Sequence, residues 1–189
     1  MSIVLARVDQ RLIHGIVVTQ WAGVTKAKRL MVIDDIVSGD EIQKQAMRMS
    51  KPAGTGMSII DTETAIRNFK AGKYDNHNVF VIVREPETLV TLKENGIEIP
   101  KVNIGILFDG EGKKTVKKMV SVSEKEVQDF RRLQQLGVPV TFHYVPGESE
   151  EAFETYIKDE KTVPIQTDLS KQLHPFAKEA LAVDSNQEI

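Results

Sequence analysis

Apolar residues fall along this chain in six short runs dominated by Val, Ile and Leu, at Ile3–Val8, Leu30–Ile33, Met57–Ile60, Val79–Val83, Val102–Leu107 and Val138–Val145. Continuous hydrophobicity, without polar alternation, is what a strand covered on both faces requires, so each run predicts a buried strand. Lys117–Val122 reads as a short additional one. Between the runs the pattern changes to helical spacing. Ile13, Ile16, Val17 and Trp21 share one stripe, and Ile42, Ala46 and Met49 are expected inward on a helix that starts at Asp40. Ala65, Ile66 and Phe69 follow Asp61; Leu89 and Leu92 follow Glu85–Pro86; Val127, Phe130 and Leu133 follow a Ser123/Glu126 capping box. Asp40 and Asp61 suit N-caps, Pro86 a first helical position, Gly96 and Gly137 the stops. Strand and helix alternating at roughly 25–30-residue intervals predict a three-layer α/β/α fold with a mostly parallel central sheet of six to seven strands.

Parallel strands deliver their following loops to one edge, where open α/β sheets bind ligands. The turn after the first strand, within RVDQRLIHGIVVTQW at 7–21, sets His14 at the start of a helix with Arg7, Asp9 and Arg11 upstream. A helix N-terminus accommodates an anion through its unpaired N–H groups. Histidine has a reference pKa of about 6.5, so near pH 7 a neutral imidazole is available to attack phosphorus, and the resulting N–P bond makes it a donor in turn. Guanidinium forks match phosphate oxygens. One unit-charge pair at about 4 Å and an effective dielectric of ~20 is worth roughly 4 kcal/mol, against about 0.3–1 kcal/mol for a helix-end dipole, so Arg7 and Arg11 are expected to dominate. Asp9 would be repelled by phosphate and is expected to hold a guanidinium or one imidazole nitrogen, fixing the tautomer. The plainer alternative makes His14 a capping or packing residue and its charged neighbours a surface network worth about 0–1 kcal/mol per pair.

Resemblance separates these readings. DQRLIHG followed by VVTQW resembles the active-site signature of the IIB subunits of the mannose/fructose/sorbose family of the bacterial sugar phosphotransferase system (PTS), commonly written D-D-R-L-I-H-G-Q. RLMVIDDIVSGD at 29–40, the Pro52–Gly54 turn, VNIGI at 102–106, Gly112-Lys113 and VSVSEKEVQDF at 120–130 fall in the family's order, so the likeness runs from about Met1 to about Lys158. It implies a phosphocarrier in which His14 accepts a phosphoryl group from a IIA protein or domain and passes it to a sugar at the IIC/IID membrane complex. Arg11, Asp9 and Arg7 are then the residues that bind or orient the phosphate, and Asp35, within the second motif, is a candidate outer support or a loop-stabilising cap. Three positions depart from the pattern. Gln10 replaces the second Asp, Ile16 the Gln after His-Gly, and Ile106 stands after Gly105 where many members have a second glycine.

Composition narrows the setting. The 189 residues carry 41% hydrophobic and 28% charged side chains with a formal net charge of −2, which excludes a basic footprint for nucleic acid. The absence of cysteine excludes thiolate catalysis, disulfides and cysteine-bound zinc. His77, His143 and His174 lack the spacing of metal ligands, so neither metal nor cofactor is expected. Gly110–Thr115 fails the P-loop pattern, since Leu107 and Lys114 stand where Gly and Ser or Thr are required. Lys113, Lys114, Lys117 and Lys118 are expected on a solvated loop and strand edge, and Arg84 is expected to pair with Glu87. No run approaches the roughly 20 apolar residues of a membrane span, and a cytoplasmic protein peripherally associated with the inner face of the membrane is expected. The domain reading is a IIB-type α/β domain over 1–160 and a C-terminal extension over 161–189, where Leu169, Leu173, Phe176 and Ala180 keep helical spacing across Pro175. Homo-oligomerisation is left open. The competing functional class is a non-catalytic or regulatory module that holds a phosphate-bearing ligand in the same loop.

Overall fold

Each of the six apolar runs contains a strand, and these six strands pair in parallel. In a computed structural model describing residues 2–158, β1 (Ile3–Asp9), β2 (Arg29–Ile33), β3 (Gly56–Ile60), β4 (Val79–Val83), β5 (Val102–Ile106) and β8 (Val140–Phe142) are joined by β9 (Glu151–Ala152). The order is β3-β2-β4-β1-β5-β8-β9, with only β9 antiparallel to its neighbour. The chain divides at Lys158/Asp159, so the extension expected over 161–189 lies outside the described residues.

Connections explain where the site falls. A π-helical turn (Val17–Trp21) running into α1 (Ala22–Val24), and then α2 (Glu41–Met49), carry the chain outward from β1 to β2 and β3. The return through α3 (Thr62–Lys70), α4 (Pro86–Glu94) and α5 (Glu124–Gln135) runs back past β1 to β8. Right-handed crossovers travelling in opposite directions cover opposite faces. Accordingly Ala65, Leu89, Leu92, Phe130 and Leu133 pack on one side of the sheet with Ala6, Val8, Val81, Val83 and Ile104. Val17, Trp21 and Ala22 pack on the other with Leu5, Leu30, Val32, Phe80 and Ile82. The loop leaving β1 therefore diverges from those leaving its neighbours β4 and β5, which makes the carboxyl end of β1 the topological switch point of the sheet.

The caps form as expected: Asp40 accepts from the Gln43 amide at 3.0 Å, Asp61 from Thr64 at 2.7 Å, and Ser123 and Glu126 close a reciprocal box. Three expectations are corrected. Lys117–Val122 is not one strand: β6 (Lys114–Lys117) and β7 (Val120–Val122) form a hairpin that turns at Met119, whose φ is +67°. The run Val138–Val145 gives only the three-residue β8, because the chain beyond Phe142 leaves the ladder. The stripe Ile42, Ala46, Met49 faces outward, with Ile42 and Met49 each 83% exposed. α2 rests instead on half-buried Met47, on the opposite side of the helix, while the Lys44 ammonium donates back to the Ser38 carbonyl at 2.9 Å. The periodicity is real, but docking selected the other face. Among the described residues no helix is long and apolar enough to cross a membrane.

Ile42→Ala and Met49→Ala are expected to change unfolding free energy by no more than about 0.5 kcal/mol, as surface substitutions do. Loss of about 2–5 kcal/mol in urea denaturation, the range for a buried Ile or Met, would show that this face is covered.

Candidate functional site

The two-residue period of β1 puts Leu5, Arg7 and Asp9 on one face, and the pairing of Arg7 with Asn103 brings Asn103 and Gly105 of β5 alongside. Arg7 is fully buried. Its Nε donates to Asp9 Oδ2 at 2.9 Å, Nη1 to the His143 carbonyl at 2.8 Å and to Asn103 Oδ1 at 3.4 Å, and Nη2 to the Tyr144 carbonyl at 3.1 Å. The guanidinium lies 5.3 Å from the centroid of Trp21. Trp21 in turn donates its Nε1–H to the Tyr144 carbonyl at 3.0 Å and meets His143 edge-on. Carbonyls 143 and 144 are thus turned toward a cation and cannot continue the β8 ladder. Burial pushes the Arg7 guanidinium below its ordinary value, and the adjacent Asp9 opposes that shift. The expectation that Arg7 forks onto a phosphate is therefore corrected, since its donors are engaged inside the protein.

Asp9 gathers the loop. Oδ2 accepts from Arg7 and faces His14 Nε2 at 2.9 Å, while Oδ1 accepts the Arg11 amide at 3.0 Å. A carboxylate accepting at both oxygens makes Nε2 the protonated ring nitrogen and leaves the lone pair on Nδ1. That Nδ1 has no hydrogen-bond partner and lies just beneath the surface, in a residue 9% exposed. Leu12 holds the loop's bend in the left-handed region at φ +54° with its side chain buried. Such strain in a non-glycine residue costs of order 1–3 kcal/mol and persists only where surroundings enforce it. The π-helical turn beyond it is a further local distortion of the kind that gathers at functional sites. The Arg11 side chain is exposed, with no side-chain hydrogen bond or ion pair among the described residues.

The remaining edge residues have other partners. Asp35 Oδ1 accepts the Thr62 amide at 2.7 Å, at the start of α3. Arg84 pairs with Asp34 at 3.1 Å, not with Glu87 as expected, because both follow residues in register on neighbouring strands; Glu87 faces Lys125 instead. Lys113 pairs with Glu126 at 2.8 Å and Lys117 with Glu151 at 2.7 Å. Glu85, although exposed, is held above its ordinary value, first by partial desolvation of its carboxyl and then by Glu126. Among the described residues no group of three or more His, Asp or Glu side chains is placed to hold a metal ion.

Sequence reasoning missed two contributors. A Cβ at residue 105 would overlap the Arg7 guanidinium, so Gly105 gives that cation its room; a glycine inside an apolar strand was the available signal. Gln10 donates its amide to the Ile106 carbonyl at 2.8 Å and accepts the Phe108 amide on Oε1 at 2.7 Å, a tie with no mark in sequence.

Comparison with known proteins shows the family of the chain as a whole. Residues 3–168 match the model of the PTS system sorbose subfamily IIB component. The chain is 38% identical over 145 residues to the PTS system sorbose-specific EIIB component of Lacticaseibacillus casei, covering 77% of this chain and 88% of that one. It is 35% identical over 138 residues to the mannose-specific EIIAB component of Escherichia coli K12, covering 73% of this chain and 43% of that longer one. The crystal structure of the IIBSor domain of the sorbose permease from Klebsiella pneumoniae superposes with a TM-score of 0.81 at 31% identity, covering 86% of this chain and 99% of that one.

Gly105→Ala is expected to cost about 1–3 kcal/mol in urea denaturation through overpacking against Arg7. Gly110→Ala, where an added Cβ meets nothing within 4 Å, should stay within about 0.5 kcal/mol. Equal effects would remove the assigned role of Gly105. Glu85 has a raised folded value, so its ionised form is the disfavoured one, and its contribution to stability falls as pH rises above the ordinary 4.5. Glu85→Gln should therefore raise the denaturation midpoint slightly at pH 7, solvent screening of the exposed side chain keeping the gain small, and the gain should shrink as pH falls toward 4.5; a gain that grows on acidification would contradict this cause.

Proposed function

This chain belongs to the sorbose subfamily of PTS IIB components, and on that footing we propose that His14 Nδ1 is its phosphoryl acceptor and donor. The observation that supports this most directly is the division of labour on the ring: Asp9 occupies Nε2 and leaves Nδ1 unpartnered. In the forward step the Nδ1 lone pair forms an N–P bond in line as the N–P bond of a IIA phosphohistidine breaks, and the donor imidazole keeps that electron pair. In the second step a sugar hydroxyl oxygen forms the O–P bond, the His14 N–P bond breaks, and the hydroxyl proton leaves to a base.

Each step places charge on three phosphoryl oxygens, and positioning with charge neutralisation provides most of the catalysis. Arg11 is the exposed guanidinium in the loop and is assigned to those oxygens; Asp9 holds the ring in one tautomer, and Arg7 holds Asp9. Because Nδ1 lies under a thin cover, docking of the donor includes displacing that cover. The reading makes the chain a protein-phosphohistidine–sugar phosphotransferase component working at the inner face of the membrane with IIA, IIC and IID. The mannose-specific relative, an EIIAB component, lends support for a IIA partner.

With the general PTS proteins, a IIA protein and labelled phosphoenolpyruvate, the protein is expected to acquire acid-labile, base-stable label that His14→Ala abolishes. Label surviving His14→Ala would refute the assignment. Arg11→Ala removes a charge-assisted contact worth about 1.5–3 kcal/mol and should slow transfer roughly 10–100-fold with the fold intact. Unchanged rates would assign the phosphate charge elsewhere. Stoichiometric binding of a phosphate ester without label would favour the phosphate-holding module instead.

A further inference from the structure

The acceptor loop is tied at one more point than the ring chemistry requires. Gln10 lies between Asp9 and Arg11, and both its backbone and its side chain reach the end of β5: its N–H donates to the Ile106 carbonyl at 2.8 Å, and its Oε1 accepts the Phe108 N–H at 2.7 Å. The two bonds engage the neighbouring chain at residues 106 and 108, so residue 10 is held in position and direction together. Its placement directs the backbone toward His14. The Arg11 amide must point back to Asp9 Oδ1 at 3.0 Å, and the Leu12 amide to the Asp9 carbonyl at 2.9 Å, while Leu12 enters the left-handed region. Without the tie, the Gln10 side chain would no longer oppose relaxation of that strained bend. Gln10 and Ile106, two of the three departures from the family's common pattern, are thus bonded to each other through the backbone, and the side-chain part of the tie depends on an acceptor of this length.

We propose that Gln10 is a positioning residue for phosphoryl transfer, acting through the loop that carries Arg11 and His14 by clamping it to the Phe108 amide. The proposal rests on His14 as acceptor. Gln10 touches neither the ring nor the phosphoryl oxygens; it keeps Asp9, Arg11 and His14 in one arrangement so that the Nδ1 lone pair is offered in a single tautomer. Phe108, 48% exposed two residues past the end of β5, is the other end of the clamp. Its amide proton reports the clamp whether or not any phosphate is present.

The test uses the full chain and two variants. Gln10→Met keeps length and removes the acceptor; Gln10→Glu keeps both. In Gln10→Met the Phe108 amide is expected to lose at least tenfold in hydrogen-exchange protection, and the His14 ring nitrogens to shift from a single tautomer toward a mixture in 15N spectra. Phosphoryl transfer from IIA should fall roughly 5–20-fold in kcat with KM nearly unchanged. Gln10→Glu should keep the Phe108 protection within about threefold of the parent and the His14 ring in its single tautomer. A parental transfer rate in Gln10→Met, even with a lowered melting temperature, would reduce Gln10 to a structural tie and overturn the proposal, as would a Gln10→Glu protein whose Phe108 amide and His14 spectrum are disturbed as far as in Gln10→Met. If the parent itself takes no label, the acceptor assignment fails, and an unchanged Phe108 amide and His14 spectrum in Gln10→Met would separately dispose of the clamp.

Discussion

A fully buried guanidinium is the constraint around which this end of the molecule is built. Removing Arg7 from water is costly, and a buried cation is tolerated only when its donors are met and its charge is compensated. The protein meets that requirement with a carboxylate two residues along the same strand, an amide on β5, two carbonyls that leave β8 to do so, and an indole face. Breaking such an arrangement from one side leaves an uncompensated buried charge, a loss of about 3–5 kcal/mol. β1, β5, β8 and the first helical turn are thereby locked in mutual position before any ligand is considered. Because Asp9 is the compensating group, the residue that orients His14 is itself immobilised by the core.

The loop then exploits that fixed point. Asp9 is at once the end of a strand, the counter-ion of Arg7, the acceptor for the Arg11 amide and the partner of His14 Nε2. Three demands on one carboxylate at the end of a strand leave little freedom for the residues between Asp9 and His14. The left-handed Leu12 and the π-helical turn are how the backbone accommodates them. Burial of Leu12, Val17 and Trp21 offsets the strain, so packing on the lightly covered face of the sheet and pre-organisation of the histidine are parts of one energetic balance. The opposite face, filled by three helices, carries most of the core and none of this chemistry.

How far the sequence could be read depends on range. The parallel strands and the caps at Asp40, Asp61 and Ser123 are local patterns with local physics, and they form where expected. His14, Arg11 and Asp9 were visible because a strand-to-helix turn concentrates them within six residues. The partners of Arg7 and Arg84 were not, since a charge chooses among neighbours brought from distant segments: Arg7 reaches residues 143 and 144, and Arg84 reaches Asp34 across a strand pair. The outward stripe of α2 marks another limit. Periodicity establishes that a helix has an apolar face but not which side the sheet will take, and here Met47 and the Lys44 ammonium decided.

The burial of Arg7 also bears on why such a site would relay a phosphoryl group and not retain it. A phosphoryl group on a side chain carries about −1.5 to −2 charges near neutral pH. Were Arg7 and Arg11 both turned to it, two guanidiniums would nearly balance that charge at close range, each worth roughly 4 kcal/mol at an effective dielectric of ~20. The phosphorylated state would then be a deep well. With Arg7 already neutralised by Asp9, the proposed role would leave Arg11 alone to face the oxygens, and from an exposed position, where screening weakens the attraction. Occupied and empty states of His14 are left closer in free energy, which is the condition for accepting from one partner and giving to the next. On the proposed relay, the same buried ion pair that orients the ring would also keep it from holding its cargo too tightly.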